Sequence, residues 1–255
     1  MVKQIIPADH YLTRKTFQKD GNNFLNISEF YYDTIQGEGI NAGVPAAFLR
    51  LQGCHLGCSY CDSTEVWRYG SPWTFNEIFR EIEKTDLPDH LRNGQHLVIT
   101  GGSPLLQQDR LIEFLYAFKR EYGISSVMEI ENDCTIEPER CLMILVDIWN
   151  NSPKLSSSGV PLQKRYKPDV IKSVASYPDS WFKFVISSEN DWAEISEDFL
   201  DLNLIKKEQI ILMPEGATRE ELQKNREMVI DMTVKHGVRY SDRLHIIAWD
   251  KKVGV

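Results

Sequence analysis

The chain contains no apolar run approaching membrane-spanning length and no internal repeat. Its opening stretch, MVKQIIPADHYLTRK, lacks the apolar core and small-residue cleavage site of a secretory signal. No membrane partner is therefore expected, and the expected compartment is the cytoplasm. Positive charge is also in short supply: 29 Lys and Arg stand against 37 Asp and Glu, a formal net charge of -8. That balance argues against gripping a polyanion over a broad surface, so no direct nucleic-acid partner is expected. One basic stretch runs from Lys154 through Lys164, Arg165, Lys167 and Lys172, and it reads as a solvated loop. Cysteine is scarce too, at 5 residues, and three of them fall between positions 54 and 61. An odd, clustered set suits a metal site better than a disulfide framework.

What is present is ordinary globular material: 255 residues, 42% hydrophobic and 26% charged, enough for one sizeable core. Residues 1–28 are polar and aperiodic and read as an amino-terminal extension packing on a single domain, 29–255. Strand-length apolar runs occur at 46–52, 96–100, 126–131, 142–148, 181–187, 209–214 and 243–249. Helical patterns lie between them at 74–85, 109–123, 189–203 and 218–236. Thr74 and Glu77 form a capping-box pattern, and Gly123 suits a helix C-terminus. This alternation predicts an α/β fold with a mostly parallel sheet and outer helices, either doubly wound or a partial barrel.

Ligands bind at the carboxyl ends of strands in such folds. The unusual segments cluster there. A cysteine loop follows 46–52, GGSP follows 96–100, END follows 126–131, NNSPK follows 142–148 and MPEG closes 209–214.

Cys54, Cys58 and Cys61 are spaced C-x3-C-x2-C. Structural zinc normally has four protein ligands in two pairs, so zinc would need His55, Cys134 or Cys141 to complete its shell. A redox pair would leave Cys54 unexplained. Three thiolates suit a 4Fe–4S cluster with one iron left open. Spacing favours the cluster and leaves zinc as the alternative.

The triad, with Tyr60 before its last cysteine, and the later ITGGSP resemble the radical S-adenosylmethionine (radical SAM) superfamily. A narrower resemblance, to the 7-carboxy-7-deazaguanine synthase family of the queuosine and deazapurine pathway, is carried by several motifs. These are FYYDTIQGEG (30–39), FLRLQGC (48–54), CDS (61–63), ITGG (99–102), SPK (152–154) and the ending LHIIAWDKKVGV. The resemblance implies a partial (β/α) barrel and a radical carbon–nitrogen lyase. Cys54, Cys58 and Cys61 would hold the cluster, and SAM would bind the open iron. One electron from a reducing partner such as flavodoxin or ferredoxin would then release methionine and a 5′-deoxyadenosyl radical. The implied substrate is 6-carboxy-5,6,7,8-tetrahydropterin, which loses ammonia and becomes 7-carboxy-7-deazaguanine while SAM is regenerated. Mg2+ assists, and a homodimer is expected. A glycyl-radical activating type of enzyme is the nearer alternative, against which IQGEG and the ending argue.

The same resemblance assigns the remaining residues. Ile35, Gln36, Gly37, Glu38, Arg50, Thr100, His245 and the terminal Val255 are implied substrate contacts. Bottom-up, an Arg50 on an apolar strand needs a carboxylate, from an internal partner such as Glu38 or from substrate. Tyr60, Cys61, Asp62, Gly101, Gly102, Ser103, Glu129, Ser152, Pro153, Lys154, Met213, Pro214, Glu215 and Gly216 are implied SAM contacts. Two positions depart from the family. Ser63 stands where threonine is usual as a ligand to Mg2+, and keeps the oxygen. Ser103 stands where an acidic residue is common, which removes a carboxylate from the SAM site.

Overall fold

The computed structural model describes residues 1–12, 23–123 and 126–252. Strand β1 (Lys3–Ile6) pairs antiparallel with the long strand β2 (Phe24–Ile35), which also pairs antiparallel with β3 (Pro45–Leu51) and β4 (Ser71–Thr74). From β3 the sheet turns parallel. It continues through β5 (His96–Gly101), β6 (Met128–Asn132), β7 (Ile148–Asn151), β8 (Ser180–Ile186), β9 (Ile210–Pro214) and the short β10 (Arg239–Tyr240). Spatial order follows chain order without a reversal. A doubly wound sheet requires a reversal, so the winding is that of a (β/α) barrel. Among the described residues the two edges do not pair with each other, and the barrel is partial.

Ten α-helices accompany the strands among the described residues. They are α1 (Thr64–Trp67), α2 (Phe75–Ile82), α3 (Leu87–Arg92), α4 (Gln108–Tyr122), α5 (Arg140–Leu145), α6 (Leu162–Arg165), α7 (Pro168–Ala175), α8 (Asp191–Ile195), α9 (Arg219–His236) and α10 (Leu244–Trp249). None is long and apolar enough to cross a membrane. The α2 start is the expected capping box: Glu77 N donates to Thr74 Oγ1 at 3.3 Å, and Thr74 N donates to Glu77 Oε2 at 2.9 Å. Such a cap contributes about 1 kcal/mol. Gly123 closes α4 in a left-handed conformation, φ 55°. Beneath these helices Phe75, Phe114 and Phe118 are buried together, with ring centroids 5.4 Å and 5.7 Å apart along the series. Truncating Phe114 to alanine would cost about 3–5 kcal/mol.

Strand alternation sorts the side chains. In β8, Phe182, Phe184 and Ile186 join the outer core, while Lys183 and Val185 face a cavity inside the sheet. In β3, Ala47, Leu49 and Leu51 face the core, while Phe48 and Arg50 face that cavity.

Three segments differ from the sequence expectation. The run 142–148 straddles the end of α5 and the start of β7. Leu142 and Leu145 are buried three residues apart while Ile144 is 65% exposed, which is helical rather than strand periodicity. The run 243–249 forms α10 and not a strand; a short apolar run does not distinguish the two by period alone. Residues before 29 are more than a packed extension: β1 and the first part of β2 belong to the sheet, so position 28 lies inside a strand.

Candidate active site

The carboxyl ends of the parallel strands open on a cavity of about 640 Å³. One wall is the loop after β3. Cys54, Cys58 and Cys61 are half-buried, carry no disulfide and all line this cavity. Cys134 is buried and Cys141 exposed, and neither lines it. Burial pushes the Cys58 thiol up, against the pull of Lys154. Trp67 Nε1 donates to Cys61 Sγ at 3.4 Å and Leu56 N to Cys54 Sγ at 3.4 Å, bonds that suit thiolates. The loop lies directly on the end of β5. A Cβ at Gly102 would collide with that of Cys54 and sit 2.5 Å from Gly53 O, so only glycine permits the approach. Three converging thiols beside an open cavity, with no fourth cysteine in reach, fit a 4Fe–4S cluster that keeps one iron free for SAM.

The opposite wall carries charge. Arg50 Nε donates to Glu29 Oε1 at 2.7 Å, and Glu29 is only 1% exposed. The internal partner of Arg50 is thus Glu29 and not the expected Glu38, which pairs with Lys183 instead. Burial works against the Arg50 charge, but Glu29 more than offsets it. Lys183 Nζ bridges Glu38 Oε2 at 2.6 Å and Glu131 Oε2 at 2.9 Å. Gln36 Nε2 donates to Glu131 Oε1 at 3.1 Å, and Arg243 Nη1 to Asp62 Oδ2 at 2.6 Å. Burial opposes the charge of Glu38, yet Lys183 and Arg243 hold it well below the usual carboxylate range. Glu131 moves the other way, raised by burial against the pull of Lys183, with the Glu38 charge adding to the rise. His245 is lowered by burial, against the pull of Glu38 and Asp62. Glu38, Asp62 and His245 present ligand atoms within 4.8 Å of one another, but Lys183 and Arg243 already balance their charge.

Most residues singled out in the sequence meet here. Ile35, Gln36, Gly37, Glu38, Arg50, Thr100 and His245 line the cavity, as do Tyr60, Asp62, Gly101, Gly102, Ser152, Lys154 and Met213. His245 arrives on α10 rather than on a strand, tied by Leu244 N donating to Gly37 O at 2.9 Å. Ser63 lines the cavity and precedes α1; its hydroxyl makes no capping bond and lies 3.9 Å from Cys61 Sγ.

Others stand back. Glu129 is fully buried a layer below Glu131, bonded to His96 and, at 2.7 Å, to Asn150 Nδ2. Ser103, Pro153, Pro214, Glu215 and Gly216 do not line the cavity, although Gly216 O accepts from Arg243 Nη1 at 3.3 Å. Val255 lies outside the described residues. Sequence reasoning passed over Glu29, Lys183 and Arg243, and marked Glu131 and Asp133 only as part of the END segment, with no role given to either. Lys183 carried the clearest signal, a lone cation between two phenylalanines in an apolar strand.

Three cysteines at the carboxyl rim of a partial (β/α) barrel define an iron–sulfur enzyme of the radical SAM class. In agreement, residues 35–137 match the profile of the 4Fe–4S single cluster domain, which supports the cluster rather than zinc. The chain is 35% identical to 7-carboxy-7-deazaguanine synthase of Pyrobaculum aerophilum, over 88% of this chain and 94% of the relative. It is 30% identical to that of Halobacterium salinarum, over 96% of this chain and 98% of the relative. The crystal structure of QueE from Escherichia coli superposes with a TM-score of 0.62 at 20% identity, covering 89% of this chain and 100% of that one. The chain belongs to the 7-carboxy-7-deazaguanine synthase family, and its cofactors are a 4Fe–4S cluster and SAM.

Proposed function

We propose that the chain converts 6-carboxy-5,6,7,8-tetrahydropterin to 7-carboxy-7-deazaguanine, releasing ammonia, with Mg2+ assisting and SAM used catalytically. The observation that carries this reading is that the three cysteines and the cations Arg50, Lys183 and Arg243 line one cavity. Cluster and SAM, when bound, supply one-electron radical chemistry. The chain's own residues do the rest. Arg50, already oriented through Nε by Glu29, offers its remaining guanidinium face to the substrate carboxylate. Gln36, Glu38 and the backbone of 35–37 border the pterin edge, and His245 closes over Gly37. Glu131 Oε2 and Lys183 Nζ, in contact at 2.9 Å, can hold and pass a proton toward the departing nitrogen. Ser63 Oγ would be the protein's own ligand to Mg2+. Loss of ammonia balances the conversion without net oxidation.

The full enzyme in this reading is a cytoplasmic homodimer of one domain that takes in β1 and all of β2 as well as 29–255, reduced by a small flavodoxin or ferredoxin. The test is anaerobic incubation of cluster-loaded protein with dithionite, SAM, Mg2+ and 6-carboxytetrahydropterin. Formation of the deazapurine with ammonia is the expected result. Reductive SAM cleavage without that product would overturn the substrate assignment.

A further inference from the structure

Of the seven carboxylates that line the cavity, four pair with a cation, and Glu65 and Asp250 are exposed at its rim. Glu29 is paired with Arg50, Glu38 and Glu131 with Lys183, and Asp62 with Arg243. Asp133 is different. It follows β6, lines the cavity, is 7% exposed, and has no cationic partner among the described residues. Its bonds come from neutral donors. Ser103 Oγ donates to Oδ2 at 2.6 Å, while Thr135 N and Thr135 Oγ1 donate to Oδ1 at 3.0 Å and 2.5 Å. Oδ2 therefore keeps an acceptor position open, since each carboxylate oxygen takes two bonds. That position is free for a donor from a ligand in the cavity.

Its neighbours indicate which ligand. Ser103 N donates to Gly53 O at 2.9 Å, which ties the bond pair to the cysteine loop. From the other side, His55 Nε2 lies 2.7 Å from Thr135 Oγ1, and His55 is adjacent to Cys54. Asp133 is thus braced at both ends by the segment that holds the cluster ligands. Ser103 itself does not line the cavity, so its hydroxyl does not substitute directly for the acidic residue missing at that position.

We propose that Asp133 supplies that carboxylate from the neighbouring strand and accepts from the amino group of SAM's methionine moiety. Ser103 is its positioning residue. The inference rests on SAM being the cofactor and adds which side chain receives its amino-acid end. Serine at 103 and aspartate at 133 form one unit, the charge moved across from β5 to β6 with a hydroxyl left behind to aim it.

The test is equilibrium binding to anaerobic, cluster-loaded full-length protein. The probes are SAM and an analogue with hydrogen in place of the amino group, and iron content is measured on every sample. Asp133→Asn should weaken SAM about tenfold to a hundredfold, the range of a hydrogen bond to a charged group, and leave the analogue nearly unchanged. Ser103→Ala should weaken SAM less, Ser103→Thr should restore it, and the exchange Ser103→Asp with Asp133→Ser should recover binding relative to Asp133→Asn. Equal losses for SAM and the analogue, or none for either, would overturn the proposal. If Asp133→Asn fails to hold iron, Ser103→Ala at full iron decides by the same comparison. Failure of the wild-type protein to bind SAM at all would overturn the cofactor assignment, and this inference with it.

Discussion

The ring of His245 lies so close against Gly37 that a methyl group at position 37 would overlap Nδ1. Two segments far apart in sequence thus meet with no space between them, and Leu244 N reinforces the contact by donating to Gly37 O. Gly37→Ala should destabilise the fold by about 1–3 kcal/mol through overpacking. Adding His245→Ala should restore much of that loss, because the obstructing ring is gone. Urea unfolding of the two single variants and the double variant measures the coupling; strict additivity would refute the contact.

Lys183 is the shared cation of Glu38 and Glu131. Lys183→Met should cost about 3–5 kcal/mol, the usual loss when one member of a buried ion pair is removed. The wild-type Glu38 is lowered, so its contribution is present above the unfolded carboxylate value and lost only in strong acid. Without Lys183 the two carboxyls face each other and shift upward. Each then favours the protonated form in the folded state, so stability falls as pH rises through the raised value. The deficit of the variant should therefore be larger at pH 8 than at pH 5 in urea titrations, and a deficit constant with pH would contradict the shared-cation arrangement.

Iron content should separate the cysteines cleanly. Alanine at 54, 58 or 61 should abolish the cluster, whereas Cys141→Ala, at an exposed position away from the cavity, should retain about four irons per chain. Burial pushes the Cys134 thiol well up, which disfavours the thiolate needed for ligation. Anaerobic iron and sulfide assays provide the check; loss of iron in the 141 variant would mean an unrecognised ligand.

Asp250, Lys251 and Lys252 border the cavity just after α10. A carboxy-terminal tag should accordingly reduce kcat/KM while leaving iron content intact. Steady-state kinetics before and after proteolytic removal of the tag would show it, and an unchanged value would argue against closure by this segment.

Much of the architecture was legible because period and length agreed. The β3, β5, β8 and β9 strands and the α2, α4 and α9 helices stand within a few residues of where apolar patterning placed them. The capping box at Thr74 is a local device and needs no tertiary information. What failed was equally local in cause. The run 243–249 is short and mostly apolar, broken only by Arg243 and His245, so its pattern does not separate strand from helix, and its docking on Gly37 shows the outcome. Among the site residues, motifs located the cysteine loop and the 35–39 turn, but not the partners that balance them. Glu29 sits in a strand obscured by the polar residues around it, and Asp133 had value only once Ser103 was seen beside it. Glu129 illustrates the converse: its position two residues before Glu131 puts it on the same face but one layer deeper, where His96 and Asn150 satisfy it.

The meeting of residues 37–39 with 241–245 also governs when the cavity can exist. Gly39 N donates to Ser241 Oγ at 2.9 Å, across 202 positions of chain. On the ribosome the cysteine loop emerges early and its parallel strands can assemble in order, but the wall formed by residues 241–245 is made last. Nascent chains therefore expose their thiols before they possess a pocket, and cluster loading ahead of that closure would proceed at an open, oxygen-accessible surface. Timing of iron delivery relative to translation thus becomes a property encoded in the fold itself.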